Sequence, residues 1–140
     1  MRGGNSMKNS IIAGTIAGFV SSVVMAVFEI GGLYKLFSTT LAGIPINIQT
    51  MLLYTIIYGV ISGIIWGVFY AFFYDYIPSK GVKKGLIYGI IIWIISPIHN
   101  AGAGVMYGYF SWAIPYAIAT FFSIGIVYGI VLGYLYKPPK

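Results

Sequence analysis

The sequence contains no cysteine, one histidine (His99) and two acidic residues, Glu29 and Asp75. Without cysteine there is no disulfide, no thiolate metal site and no cysteine nucleophile, and the redox compartment leaves no mark. One histidine and two carboxylates cannot supply the three or four protein ligands of an ordinary zinc site. No strand leads into a glycine-rich phosphate or dinucleotide loop, because the glycines lie inside apolar runs. A hydroxyl nucleophile needs a base and an orienting partner. Ser96 lies near His99 in the chain, but nothing marks it as activated. Charge itself is scarce: 7% of the residues are charged, against roughly 25% in a soluble domain. The expectation is a protein that is not an enzyme and holds no cofactor or metal.

Apolar surface takes the place of what is missing. Of the 140 residues, 59% are hydrophobic, and the mean hydropathy is +0.92. A chain this short cannot hide so much apolar surface in one aqueous core, so the lipid bilayer is its first partner. The net charge of +6 does not point to nucleic acid, since no basic run interleaves with a soluble aromatic platform. The basic start (Arg2, Lys8) resembles a signal peptide, but the apolar run behind it is too long for one and lacks a small-x-small cleavage site. It reads as a retained first helix. Met7 competes with Met1 as the true start.

A membrane-crossing helix needs about 20 mostly apolar residues, and four stretches qualify. We expect an all-α fold: one transmembrane domain over residues 1–140, with helices at about 10–33, 49–75, 84–106 and 111–136. The linker at 34–48 holds Gly43, Ile44 and Pro45, and Leu33 to Phe37 is read as an interfacial start to it. The second linker is a plain turn around Pro78, and the third, Tyr107 to Phe110, makes a tight hairpin. Arg2, Lys8, Lys80, Lys83, Lys84, Lys137 and Lys140 fall on one side and only Lys35 on the other. Basic loops stay in the cytoplasm, so both termini are expected there, in a multi-pass protein of the cell membrane. Tyr74, Tyr76, Tyr134 and Tyr136 near one interface, with Tyr107, Tyr109, Trp112 and Tyr116 near the other, read as aromatic anchors.

Glycine recurs at every fourth position in two helices: Gly59, Gly63 and Gly67 in the second, Gly125, Gly129 and Gly133 in the fourth. The first and third helices carry Gly14 with Gly18 and Gly85 with Gly89. This reads as two tandem hairpins in parallel repeat, forming a four-helix bundle. Lipid gives little drive for helices to associate, and glycine at i and i+4 lets backbones approach closely. The faces can serve helices two and four against each other, against helices one and three, or a homo-oligomer or larger membrane complex. The sequence does not separate these uses.

Ionisable residues inside a membrane are costly and mark function by default. Glu29 stands about 28 Å along its helix from Ser10, and His99 about 22 Å from Lys84, so both fall in the outer half. Asn100 follows His99, and Pro97 withholds a donor from the Trp93 carbonyl. Beyond it, Ala101-Gly102-Ala103-Gly104 is all small residues. A kink at Pro97 and a polar pocket of Glu29, His99 and Asn100 are the expectation, because irregular backbone at membrane depth needs protein or a water-filled cavity to cover it. The plain alternatives are a Glu29 that reaches headgroup water and a His99 that only packs between helices. Asp75 reads as a solvated interface charge.

Gly85-Leu86-Ile87-Tyr88-Gly89, Trp93, Ser96-Pro97, the glycine-rich stretch after it and the run from Ile126 to Tyr136 resemble the YagU-like group, small prokaryotic inner-membrane proteins of unknown function. The resemblance covers the last three helices and implies an inner-membrane location with no catalytic residues to carry over. That group often places a histidine early in its last helix, where this chain has Phe121 and Phe122. Small multidrug transporters also have four helices and a first-helix glutamate, but theirs lies mid-membrane. Fluoride channels have a similar length, but their arginine and phenylalanine pattern is missing here. The leading expectation is a non-enzymatic accessory or structural membrane subunit. The alternative is a small proton- or cation-linked transporter with an outward-facing site at Glu29, His99 and Asn100.

Overall fold

The computed structural model describes residues 4–36, 47–106, 108 and 110–138, without the side chains of residues 4, 5, 99 and 103. The predicted linker glycine and proline (Gly43, Pro45), and also Arg2, Lys140, Tyr107 and Tyr109, lie outside the described residues. Within them the chain is all-helical, with no strand. Four helices, Ser6–Leu36, Ile48–Phe73, Gly81–Met106 and Phe110–Leu135, are long and apolar enough to cross a membrane. In hydrocarbon every backbone N–H and C=O must find a partner within the chain, and long apolar runs meet that demand as helices. The protein is a multi-pass membrane protein.

Local chemistry sets the ends and breaks of these spans. The second span starts where the Asn47 side chain accepts the N–H of Gln49 at 2.8 Å, a helix cap. The third starts after a turn in which Ser79 and Gly81 take positive φ. It divides into Gly81–Ile95 and Pro97–Met106. At the join, Ser96 leaves ideal helical geometry (φ −114°, ψ −68°), and Pro97 offers no N–H to the turn before it. Two spans contain wider π-type turns, at Glu29–Leu33 and Phe121–Tyr128. In the first of these, Gly32 takes φ 146°, open to glycine and closed to most side chains. Pro115 sits inside Phe110–Thr120.

Burial is inverted relative to a soluble bundle. Phe19, Val27, Ile61, Phe69, Ile94 and Ile118 are exposed, while Ser10, Ser21, Glu29, Lys84, Thr120 and Ser123 are buried. The spans pair as two hairpins, first with second and third with fourth, and the first span also lies against the fourth. Within each hairpin the backbones meet through glycine. A methyl on Gly63 would stand 2.6 Å from the Cα of Gly18, and one on Gly67 2.8 Å from that of Gly14. A methyl on Gly133 would stand 2.9 Å from the Cα of Gly85, and one on Gly89 2.6 Å from the Gly125 carbonyl oxygen. Between the hairpins the contact is of another kind. The Tyr128 hydroxyl donates to the Gly63 carbonyl at 3.0 Å, and the Tyr88 hydroxyl to the Trp66 carbonyl at 2.7 Å. Such polar contacts contribute about 0.6–2 kcal/mol each between membrane helices. Long phenols hold the hairpins together across a gap, and the candidate site lies in that gap.

Candidate functional site

Glu29 opens the first π-type turn. Such turns widen the helix by one residue and are frequent at functional sites. The carboxylate is buried, only 3% exposed. Its Oε1 accepts the Thr55 hydroxyl at 2.6 Å. Its Oε2 is buried with no hydrogen-bond partner. An ionised carboxylate in such a place is expensive unless something positive or a proton joins it.

Glu29 faces a cavity of about 160 Å3 between the spans. The first span contributes Ser21 and Ser22, the second Thr55, Tyr58 and Ser62, and the fourth Tyr116, Thr120 and Ser123. Several of these hydroxyls have already committed their one proton to a carbonyl of their own helix. Ser21 donates to Gly18 at 3.0 Å, Ser22 to Phe19 at 2.8 Å and Ser62 to Gly59 at 3.3 Å. Thr120 donates to Tyr116 at 2.8 Å and Ser123 to Ala119 at 2.9 Å. A hydroxyl that has given its proton away has only lone pairs left to offer. The cavity is therefore rich in acceptors around one carboxylate, a composition suited to a cation or a proton donor and hostile to an anion. Among the described residues no three His, Asp or Glu side chains gather as metal ligands, so hydroxyl oxygens and one carboxylate are the donor set.

A smaller cavity of about 40 Å3 continues toward the lysine-bearing end of the bundle. It shares Ser21, Tyr58 and Ser62 with the larger one and adds Ser96, Pro97 and Tyr128. The break at Pro97 thus borders internal space. A third space, about 620 Å3 beside Trp93, Ala101, Ala113 and Phe121, is almost wholly apolar and gives an ion nothing to bind.

Of the expected pocket residues, Glu29 lies on the cavity. Asn100 is itself exposed, and Tyr116 of the fourth span lines the cavity beside Glu29. The backbone of His99 is helical, and its side chain lies outside the described residues. The hydroxyl lining escaped the sequence reading. A signal for it exists: Thr55, Tyr58 and Ser62 follow i, i+3, i+7, and Tyr116, Thr120 and Ser123 follow i, i+4, i+7, each a single helical face. The second π-type turn, which carries Ser123 into the cavity wall, leaves no comparable pattern.

Toward the other end lies a second buried polar group. Lys84 is 6% exposed. Its ammonium donates to the Tyr74 carbonyl and stands 4.0 Å from the centre of the Tyr74 ring, a cation–π contact. Tyr70 beside it is wholly buried, with an unpartnered hydroxyl, and Tyr136 shares a 2.7 Å hydrogen bond with Ser6.

A family model described as a family of unknown function (DUF6789) matches residues 4–138. No curated protein and no solved structure matches the chain.

Proposed function

Since the chain belongs to DUF6789, a family of unknown function, we propose its role from the site itself: a small membrane protein that binds and passes a proton or small cation at Glu29. The observation that carries this is the unpartnered Glu29 Oε2, buried at an acceptor-lined cavity. A carboxylate kept from water with one oxygen lacking a donor draws whatever neutralises it, and the surrounding oxygens stabilise a cation and repel an anion. Tyr116 lines the cavity, and Asn100 and His99 of the third span are proposed to belong to its approach. No covalent chemistry is part of this reading; the protein is not an enzyme. The glycine faces are occupied within the hairpins, which leaves a structural subunit only the exposed aliphatic and aromatic side chains for a partner. That favours the cation-handling reading over an accessory role. The matching engagement of Gly14 with Gly63 and Gly67, and of Gly85 with Gly129 and Gly133, supports a parallel repeat of two hairpins. Kinship with the YagU-like group remains a proposal that adds no function.

The test is chemical labelling of Glu29. A protonated carboxyl in an apolar setting gives its proton to a hydrophobic carbodiimide and adds its oxygen to the carbodiimide carbon. In liposomes we expect modification at Glu29, read by mass spectrometry, and protection by sodium, potassium, ammonium or raised pH. Labelling that none of these changes would overturn the site.

We further propose that the lysine-bearing end is cytoplasmic, because Lys8, Lys80, Lys83, Lys84 and Lys137 gather there and positive loops remain inside. Cysteines placed at Ser79 and at Gly43 are expected to react with an impermeant thiol reagent from opposite sides of intact cells, Gly43→Cys outside and Ser79→Cys only after permeabilisation. The reverse pattern would invert the orientation.

A further inference from the structure

Below the cavities, toward the lysine-bearing end, the gap between the hairpins is filled by phenols that step along the second span. Tyr128 is tied to Gly63 and Tyr88 to Trp66. Tyr70 follows one turn on, its ring 4.9 Å from that of Tyr88 and 5.3 Å from that of Tyr136. Tyr136 ends the series at its 2.7 Å hydrogen bond with Ser6. From Gly63 to Tyr70 the series covers about 10 Å of helix axis. Each of Tyr70, Tyr88, Tyr128 and Tyr136 is at most 5% exposed.

Tyr70 is the anomaly. A buried hydroxyl normally finds a partner, and one left without costs about 1–3 kcal/mol. Phenylalanine would fill the same space with no such cost, so the oxygen at this position calls for an explanation beyond packing. Its neighbours supply one. Tyr88 and Tyr136 lie on either side of it, and a phenol both donates and accepts.

We propose that this half of the bundle is a proton wire, with the Tyr70 hydroxyl as its central link, so that the species leaving the Glu29 cavity is a proton and not a metal cation. The inference rests on the Glu29 reading and narrows it. The space supports the choice. The cavity shrinks from about 160 to about 40 Å3 at Tyr128, room for about one water, and Tyr70 and Leu132 beyond it are fully buried. A dehydrated metal cation needs several oxygens at once, and the series presents them singly. A proton needs one at a time. It leaves the Glu29 carboxyl for a cavity water, and that water passes one of its own protons to Tyr128. Each phenol in turn accepts a proton on a lone pair as its original O–H proton moves to the next oxygen. One proton enters and one leaves at Tyr136 and Ser6, and no bond other than O–H changes. Between transfers the Tyr128 and Tyr88 hydroxyls return to the Gly63 and Trp66 carbonyls, which hold the wire open-circuit at rest.

The experiment uses the full chain in liposomes with an imposed potential, a pH dye inside and a parallel sodium-tracer assay, for the native protein and for Tyr70→Phe. Phenylalanine keeps the ring contacts and removes only the unpartnered oxygen, so the variant is expected to fold at least as well; its melting temperature in detergent checks this. The expected result is proton flux in the native protein, at least about a tenfold loss in Tyr70→Phe, and no sodium flux in either. Native-rate proton flux in folded Tyr70→Phe, or sodium flux equal to proton flux, would overturn the wire. Cation-protected labelling of Glu29 alongside either result would leave the Glu29 site standing. Native vesicles that pass no proton overturn the wire as well, and the labelling of Glu29 then decides the site by itself.

Discussion

Glu29→Gln is expected to lower proton or cation flux by about 100-fold, the low end of what a positioned proton-transfer group contributes, while leaving the protein as stable as the native form or more so. The two halves of this prediction come from the same geometry. Glutamine has the shape of glutamate and no charge. Its Oε1 can still accept the Thr55 hydroxyl, which lies 2.6 Å from the native carboxylate oxygen. Its amide nitrogen takes the place of the unpartnered Oε2 without carrying a charge. The substitution therefore removes a buried charge that the native protein must neutralise. Replacing a buried charge by a well-fitted neutral group is often worth about 1 kcal/mol or more in stability. Flux and melting temperature measured on one preparation decide the point. A Glu29→Gln protein that melts lower and conducts normally would make Glu29 a structural residue and end the functional reading.

Gly63→Leu is expected to have the largest effect on the fold. Any side chain at Gly63 meets the Cα of Gly18 at 2.6 Å and its amide nitrogen at 3.0 Å. These are backbone atoms, which cannot swing aside as a flexible side chain can. The first hairpin must separate, and the Gly63 carbonyl that receives the Tyr128 hydroxyl moves with it. Overpacking a core costs about 1–3 kcal/mol where side chains can yield. Here backbone must yield and an interhelical hydrogen bond goes too, so we expect at least the upper end of that range. Gly102→Ala is the control. An added methyl there meets nothing within 4 Å, and alanine in a helix is favoured over glycine by about 0.5–1 kcal/mol. Thermal melting in detergent should place the two variants on opposite sides of the native protein. Equal melting temperatures for Gly63→Leu and the native form would refute the backbone contact.

Much of this architecture can be read from composition, because hydrocarbon permits few backbone solutions. A run of apolar residues long enough to cross the membrane has little choice but to be a helix, so the four spans stand out in the sequence. Glu29 stands out by its charge, and Pro97 by its missing N–H. What surrounds them does not. The cavity is assembled from Ser21, Thr55, Thr120 and their neighbours on three spans, and each is an unremarkable residue in its own helix. Their meaning depends on where each hydroxyl sends its proton, a fact of three-dimensional geometry. The partner of each glycine face is hidden for the same reason: Gly63 offers a flat surface, but that Gly18 lies against it is decided by the whole bundle. The π-type turn at Glu29 has a local hint in Gly31 and Gly32. The one at Phe121–Tyr128 has none, since a single inserted residue leaves hydropathy unchanged.

The contrast between glycine contacts inside the hairpins and tyrosine contacts between them has a mechanical consequence. Backbone packed on backbone is stiff, because no rotamer can change to absorb a displacement. Phenols spanning a gap are compliant, because each can turn about its χ angles and exchange one oxygen partner for another. The bundle is thus two hard plates on a soft seam, and its low-frequency motion is a sliding or opening of one plate against the other. The two polar voids lie in the seam, so hydrostatic pressure, which favours states with less empty volume, should draw the plates together there as well as closing the apolar space inside the second hairpin.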